Sequence, residues 1–390
     1  MTGLTRRQLL GLAGAAAVGG VALGPGRAAS SPSQVVPFGG HHQAGIDTAP
    51  QSSLLFASFD LVTAHRPDLV ALLRDWTVAA DRLTRGQPVA GPSAAAGAAA
   101  STLAPTADTG EAAGLPPARL TLTFGFGPTL FDGRFGLASR RPPALVELPA
   151  FAGEVLDPAR CGGDLCVQAC ADDPQVLFHA IRNLTRMGRG AVVLRWVQEG
   201  FASPRNLMGF KDGTANPRPG TPVLDDNVWV TGADGPSWMV GGSYLVARRI
   251  RIRIETWDRS SLDDQEQTIG RHRDTGAPLG RTHEFDPVDL TALPKDAHVA
   301  VASQAATGIH FLRRGYNFSD GVDPKVGQLD AGLFFLAYQR DPRRQFIPLQ
   351  QRLAASDALN EYIRHDGSAV FAIPPGVRPS GWIGAPLLFS

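Results

Sequence analysis

Between Asn206 and Pro217 the chain reads NLMGFKDGTANP, with one carboxylate, Asp212, held between Gly209 and Gly213. Gly, Asp, Asn and Pro form turns because they tolerate left-handed or fixed backbone angles. Taken alone, the run is either a surface turn or a cramped site where backbone approaches a flat ligand and no Cβ fits. Further on, Lys295 to Phe318 reads KDAHVAVASQAATGIHFLRRGYNF. His298 opens an alternating apolar run that reads as a strand, and Arg313-Arg314 precede Gly315-Tyr316. Adjacent strand residues point to opposite sides. One arginine can then be solvated while the other enters the interior, where it stays charged and needs a partner.

The elements around these residues fall into two similar halves. Gln51 to Val62 reads as a strand, and Pro67 to Arg85 carries Leu69, Leu72, Leu73, Trp76, Ala80 and Leu83 at helical spacing. Ala90 to Pro117 is mostly Ala, Gly, Pro, Ser and Thr and reads as an irregular insertion. ARLTLTFGFG and DLCVQACA follow as strands, DPQVLFHAIRNLTRMG as a helix capped at Asp172 or Asp173 and stopped at Gly188, and AVVLRWVQEGF as a strand. The second half repeats the order. SYLVARRIRIRIETW is a long strand, SSLDDQEQTIGR a helix capped at Ser260 or Ser261, AHVAVAS and AGLFFLAYQRD strands, FIPLQQRLAASDALNEYIRH a helix, and AVFAIPPG the closing segment. Two β-α-β-β-α-β units make an α+β protein of two ferredoxin-like domains, 51–205 and 206–390, after an N-terminal segment at 31–50.

The 390 residues suffice for two domains, and 43% hydrophobic with 19% charged residues is a globular composition. A net charge of +1, without a basic stripe interleaved with aromatics, excludes nucleic acid as an expected partner. Residues 1–30 read as a twin-arginine export signal: Arg6-Arg7, a weakly apolar run from Leu9 to Gly24, and small residues for cleavage near Ala28 to Ser30. No other stretch nears the roughly 20 apolar residues of a spanning helix, so no stable membrane anchor is expected. Export by this route sets a periplasmic or extracellular, oxidising destination. Of three cysteines, Cys166 and Cys170 share one strand face, pointing inward, and Cys161 could bridge to Cys166. Plain buried thiols are favoured over that disulfide.

GFKDGTANP, the histidine of AHVAVAS and the LRRGYNF run, in that order, resemble the dye-decolorizing peroxidases. HHQAGIDTAPQ, FGFGPTLFD and ETWDRSSLDDQEQTIGRHRDTGAPLG are similar to the twin-arginine-exported, deferrochelatase-type branch of that family. The resemblance covers nearly everything after the signal. It implies a dimeric α+β barrel of two ferredoxin-like domains holding one non-covalent haem b per chain. It also implies a peroxidase that uses hydrogen peroxide to oxidise bulky aromatic or dye-like donors through high-valent iron. The alternative it carries is a haem-handling protein of iron uptake, releasing iron from haem. A homodimer and iron-uptake partners are compatible with it.

On this likeness His298 matches the axial ligand of the haem iron, Asp212 the distal acid and Arg313 the distal arginine. Gly213, Thr214 and Ala215 match the haem edge, and Ser303, Gln304 and Ala305 are further haem contacts. Relatives commonly carry an arginine two residues after the proximal histidine; this chain has Ala300. The chemistry suits the residue types. Neutral imidazole is the commonest haem ligand, and an acceptor on its other nitrogen strengthens it; Asp320, Asp323 and Asp330 are the candidates. One carboxylate can serve peroxide as general base and then as general acid, and a guanidinium beside it stabilises charge as the O–O bond breaks.

Overall fold

The computed structural model describes residues 34–89 and 106–389; residues 1–30, where an export signal is expected, and residues 90–105 of the insertion lie outside the described residues. The strands are β1 (Ser53–Leu61), β2 (Thr121–Phe126), β3 (Leu165–Ala171), β4 (Val192–Phe201), β5 (Ser243–Ile252), β6 (Leu312–Arg313), β7 (Tyr316–Asp323), β8 (Gln328–Gln339) and β9 (Ile363–Ile373). The helices are α1 (Arg66–Leu83), α2 (Pro174–Met187), α3 (Pro222–Val228), α4 (Ile254–Trp257), α5 (Leu262–Ile269), α6 (His298–Ala302), α7 (Gln304–Thr307), α8 (Phe346–Ser356) and α9 (Ala385–Phe389).

The first half is ordered β2-β3-β1-β4 and the second β7-β8-β5-β9, both antiparallel, which is the sheet of a ferredoxin-like unit. Phe126 of β2 pairs with Ala372 of β9, and Phe201 of β4 with Asn317 of β7, so the two sheets close into one barrel. Period-two alternation fills both faces. Leu54, Phe56, Cys166, Cys170, Leu245, Phe334 and Tyr338 pack together inside it. Leu55, Ala57, Phe59, Val167 and Ala169 point outward beneath α1 and α2.

Local chemistry explains most of the boundaries. Helix α1 starts on Pro67 and buries Leu69, Leu72, Leu73, Trp76, Ala80 and Leu83, the stripe its spacing predicts. Asp173 caps α2 by accepting from the Gln175 N–H, and Gly188 ends it. Ser261 and Asp264 form a reciprocal capping box on α5. Cys166 and Cys170 are buried thiols facing the interior, and Cys161 is free.

Three expectations are corrected. AHVAVAS is not a strand: His298 opens the short helix α6, which buries Ala300 and Val301 and has no strand beside it to supply a ladder. The strand needed at that point in the order is β6–β7 instead, so the β-α-β-β-α-β order holds with a different segment. The RIRIRIETW strand stops at Ile252, and Ile254–Trp257 is helical. The FIPLQQRLAASDALNEYIRH helix ends at Ser356; Asp357 caps a following 3₁₀ turn, and Ile363 onward belongs to β9.

The described end of the insertion is fastened to α2 by Glu111, which meets His179 Nδ1 at 2.9 Å and the Arg182 guanidinium. Burial is the largest influence on this carboxyl and opposes its charge. Hydrogen bonds from Thr109 and His179, with Arg182, outweigh it and bring the pKa from 4.5 to about 2. A depressed carboxylate contributes stability above its unfolded pKa that is lost as pH falls through the folded one. The stability gap between wild type and Glu111→Gln in urea melts should therefore be constant above about pH 5 and close between 4.5 and 2. A gap unchanged across that window refutes the assignment.

Candidate active site

The Asp212 turn is built by its neighbours. Asn206 Oδ1 accepts from the N–H groups of Met208 and Phe210 at 3.0 and 3.1 Å, and Arg205 bridges to Lys211. Gly209 and Gly213 hold φ of 87° and 81°, the left-handed region where a side chain is strained. Met208 and Phe210 are buried with Ile252, Trp257, Ile269, Leu359 and Tyr362, anchoring the turn to the core. Lys211 and Thr214, on either side of Asp212, are both held by Glu284, at 2.6 and 2.9 Å.

Arg313 comes to this turn from β6. Its Nη1 lies 3.7 Å from Asp212 Oδ1, with the two side chains 31% and 33% exposed, so the pair is within ion-pair range and accessible from outside. Asn216 fixes the arginine: its Oδ1 accepts from Arg313 N and Nε at 3.1 and 3.3 Å, and its Nδ2 donates to Arg313 O at 2.7 Å. A Cβ at Gly315 would stand 3.6 Å from Asp212 Oδ2 and 3.1 Å from Leu333 Cδ1, so glycine lets the acid lie close over the strand. Arg314 takes the opposite side. It is buried, donating to Thr48 O at 2.5 Å and to the Gln51 side chain.

His298 is oriented from α6. Its Nδ1 meets Asp357 Oδ2 at 2.6 Å, and that carboxylate is 2% exposed. Asp357 is thus the acceptor, not Asp320, Asp323 or Asp330, which are engaged by Arg249, Arg251 and Arg160. Burial is the largest influence on the imidazole and lowers its pKa. Asp357 outweighs it and holds the pKa above 6.5, with Arg313 pulling down and Asp212 up. Arg313 and Asp212 are therefore near enough to the ring to influence its charge. The predicted contacts converge too, since Gln304 Nε2 donates to Ala215 O at 3.1 Å. Ser303 caps α7 with its hydroxyl buried and without a hydrogen bond, while Ala305 is exposed. Sequence reasoning missed Asn216, although it lies in the quoted motif, and Asp357. A Ser-Asp step late in a helix was the available cap signal for the latter.

This donor set fits an iron porphyrin. With Nδ1 committed to Asp357, Nε2 is left free of a hydrogen bond, and the His298 side chain is 32% exposed. An acid–guanidinium pair lies near enough to influence the ring, and Gly213 leaves open room beside Asp212, where a Cβ would meet only Asn216 Nδ2 at 3.8 Å. A barrel of two ferredoxin-like sheets with these groups defines a haem-dependent peroxidase of α+β fold.

The comparisons with known proteins agree. The Dyp-type peroxidase N-terminal family model matches residues 43–202 and the C-terminal model residues 203–378, and the chain belongs to this family. The deferrochelatase of Escherichia coli K12 is 38% identical over 379 residues, covering 90% of this chain and 87% of that protein. DtpA from Streptomyces lividans is 39% identical with a TM-score of 0.83, covering 91% of this chain and 98% of its own. A DyP-type peroxidase from Cellulomonas bogoriensis is 41% identical with a TM-score of 0.81, covering 93% and 100%. The cofactor is haem b, bound non-covalently.

Removing the charge behind the imidazole should weaken its donation. In haem-loaded Asp357→Asn, resonance Raman should show a lower iron–histidine stretching frequency, and reaction with peroxide should slow about ten- to a hundredfold. An unchanged frequency with a slowed reaction would assign Asp357 a purely steric part.

Proposed function

We propose that Asp212 and Arg313 carry out the peroxide chemistry, with His298 as the iron's axial ligand. The observation that carries this is the 3.7 Å acid–guanidinium pair, its arginine held by Asn216, near enough to an Asp357-bound imidazole to influence its charge. Haem supplies the iron that binds peroxide and takes up its oxidising equivalents. Asp212 would accept a proton from hydrogen peroxide and return it to the departing oxygen. Arg313 stabilises the negative charge that grows on the separating oxygens. Gly213, Thr214 and Ala215 line the haem edge, with Gln304 joined to them through Ala215. The donors are bulky aromatic or dye-like molecules.

Strand alternation gives the test its control. Arg313→Leu should keep haem and react with peroxide roughly 10²–10³-fold more slowly in stopped flow. Arg314→Leu should lose stability while its folded fraction reacts at the wild-type rate. The reverse pattern would transfer the role to Arg314.

The deferrochelatase relatives at 38% identity favour a second reading, release of iron from haem. Asp212→Ala separates the two, since it should abolish reaction with peroxide. Iron release that survives in that variant supports the second activity.

We also propose export by the twin-arginine route to a periplasmic or extracellular site, on the strength of Arg6-Arg7 and the weakly apolar run that follows. Changing both arginines to lysine should retain the protein in the cytoplasmic fraction. Unaltered localisation would exclude this route.

A further inference from the structure

The carboxyl group of Asp212 has few ties of its own. Among the described residues it accepts one hydrogen bond, from the Gly213 N–H to Oδ1 at 2.6 Å, and the same oxygen is the one nearest Arg313. The Asp212 N–H reaches Pro204 O only at 3.4 Å. Where this acid stands is therefore decided by what holds the turn on either side of it.

Both sides end on one group. Lys211 Nζ donates to Glu284 Oε2 at 2.6 Å, and Thr214 Oγ1 donates to Glu284 Oε1 at 2.9 Å. Each oxygen of a single carboxylate thus takes one flank of Asp212, and both hydrogen bonds are strongest when that carboxylate is ionised. The Lys211 hydrogen bond is the largest influence on the Glu284 pKa. With Thr214 and the charges of Lys211 and Arg271 it outweighs burial and holds the group below its ordinary 4.5.

The loop between α5 and α6 is folded to aim Glu284 at the turn. Asp286 Oδ2 accepts from the N–H groups of Thr282 and His283 at 3.3 and 2.9 Å, and the Asp286 N–H donates to His283 O at 3.1 Å. That tight bend sends His283 and Phe285 into solvent and leaves Glu284 half-buried between them. Its carbonyl is held by Arg271 Nη1 at 3.0 Å. Gly276 gives the lysine stem its path, since a Cβ there would stand 2.7 Å from Lys211 Cδ and 3.4 Å from Glu284 Cγ.

We infer that Glu284 is a positioning residue for the reaction with peroxide, fixing Asp212 opposite Arg313 by holding both of its flanks. This rests on the assignment of Asp212 to that chemistry. A partly exposed ion pair adds little to global stability, so its loss falls on local placement. Placement is what a proton-transferring group is most sensitive to.

Hydrogen exchange of the apoprotein, followed by mass spectrometry, tests the clamp apart from the reaction. In Glu284→Gln the peptide spanning residues 206–217 should exchange several-fold faster, at a melting temperature close to that of wild type. In the haem-loaded variant the reaction with peroxide should slow about ten- to a hundredfold. The iron–histidine stretching frequency should keep its wild-type value, because the clamp acts on the acid alone. Glu284→Asp, which keeps the charge on a shorter stem, should recover part of the rate and part of the protection. Wild-type exchange of this peptide in a folded Glu284→Gln overturns the inference, and so does faster exchange with an unchanged rate. A frequency that moves with the rate overturns it too, since the whole site is then deformed. Asp212→Ala in the same rate assay separates the two failures: if it reacts as fast as wild type, the assignment of Asp212 is what has failed.

Discussion

A ring that must offer one nitrogen to a metal has to have the other one taken, and the site is organised around that requirement. Asp357 meets His298 Nδ1 at 2.6 Å from a position almost closed to solvent. The acid is itself held by the backbone. Its N–H donates to Leu353 O at 3.0 Å, and its Oδ1 accepts from Leu359 N at 2.9 Å. The next residue, Ala358, donates to Asp296 O at 2.9 Å, two residues before the histidine. Leu359 and Tyr362, just beyond, share their core with Met208 and Phe210 from the Asp212 turn. One small apolar cluster thus sets the acceptor behind the imidazole and the acid facing it, so the two sides cannot drift independently.

The two halves of the barrel share a topology but not a task. In the first half, β1 and β2 are connected through α1, an 18-residue helix with a full apolar stripe. The equivalent connection in the second half, between β5 and β6, carries α4, α5, α6 and α7, the longest only eight residues. That segment contains His298, Gln304 and Glu284. A continuous crossover helix covers a sheet with one stripe of side chains. Four short pieces joined by capped turns can present residues from several directions. The first half, which contributes no residue of the proposed peroxide chemistry, closes the barrel and fills its interior.

Much of this was legible in the sequence because the signals were local. Helix stripes, the Asp173 and Ser261 caps, inward-facing cysteines and the glycines around Asp212 depend on neighbours within a few positions, and each holds in the structure. What failed depended on distant partners. The alternation in AHVAVAS suits either a strand or the buried face of a short helix, and only the absence of a ladder partner decides between them. Asp320, Asp323 and Asp330 follow the arginine pair closely in sequence. Yet Arg249, Arg251 and Arg160, from other parts of the barrel, occupy them, and the acceptor arrives from the end of α8.

The arginine pair shows how fold turns one residue type into two functions. Arg313 and Arg314 are chemically identical and adjacent, and strand alternation alone sends them apart. Arg313 reaches an open acid and is steered by Asn216. Arg314 enters the interior, where its two terminal nitrogens donate to Thr48 O and the Gln51 side chain, near Ile46, which is buried inside the barrel. The segment around Thr48 and Gln51 therefore braces, from behind, the strand that presents Arg313. Breaking that brace leaves a buried charge unmatched, so its disruption costs more than two hydrogen bonds. A lysine there brings a single point charge on a flexible stem, and one ammonium lacks the planar fork that meets Thr48 and Gln51 from separate nitrogens.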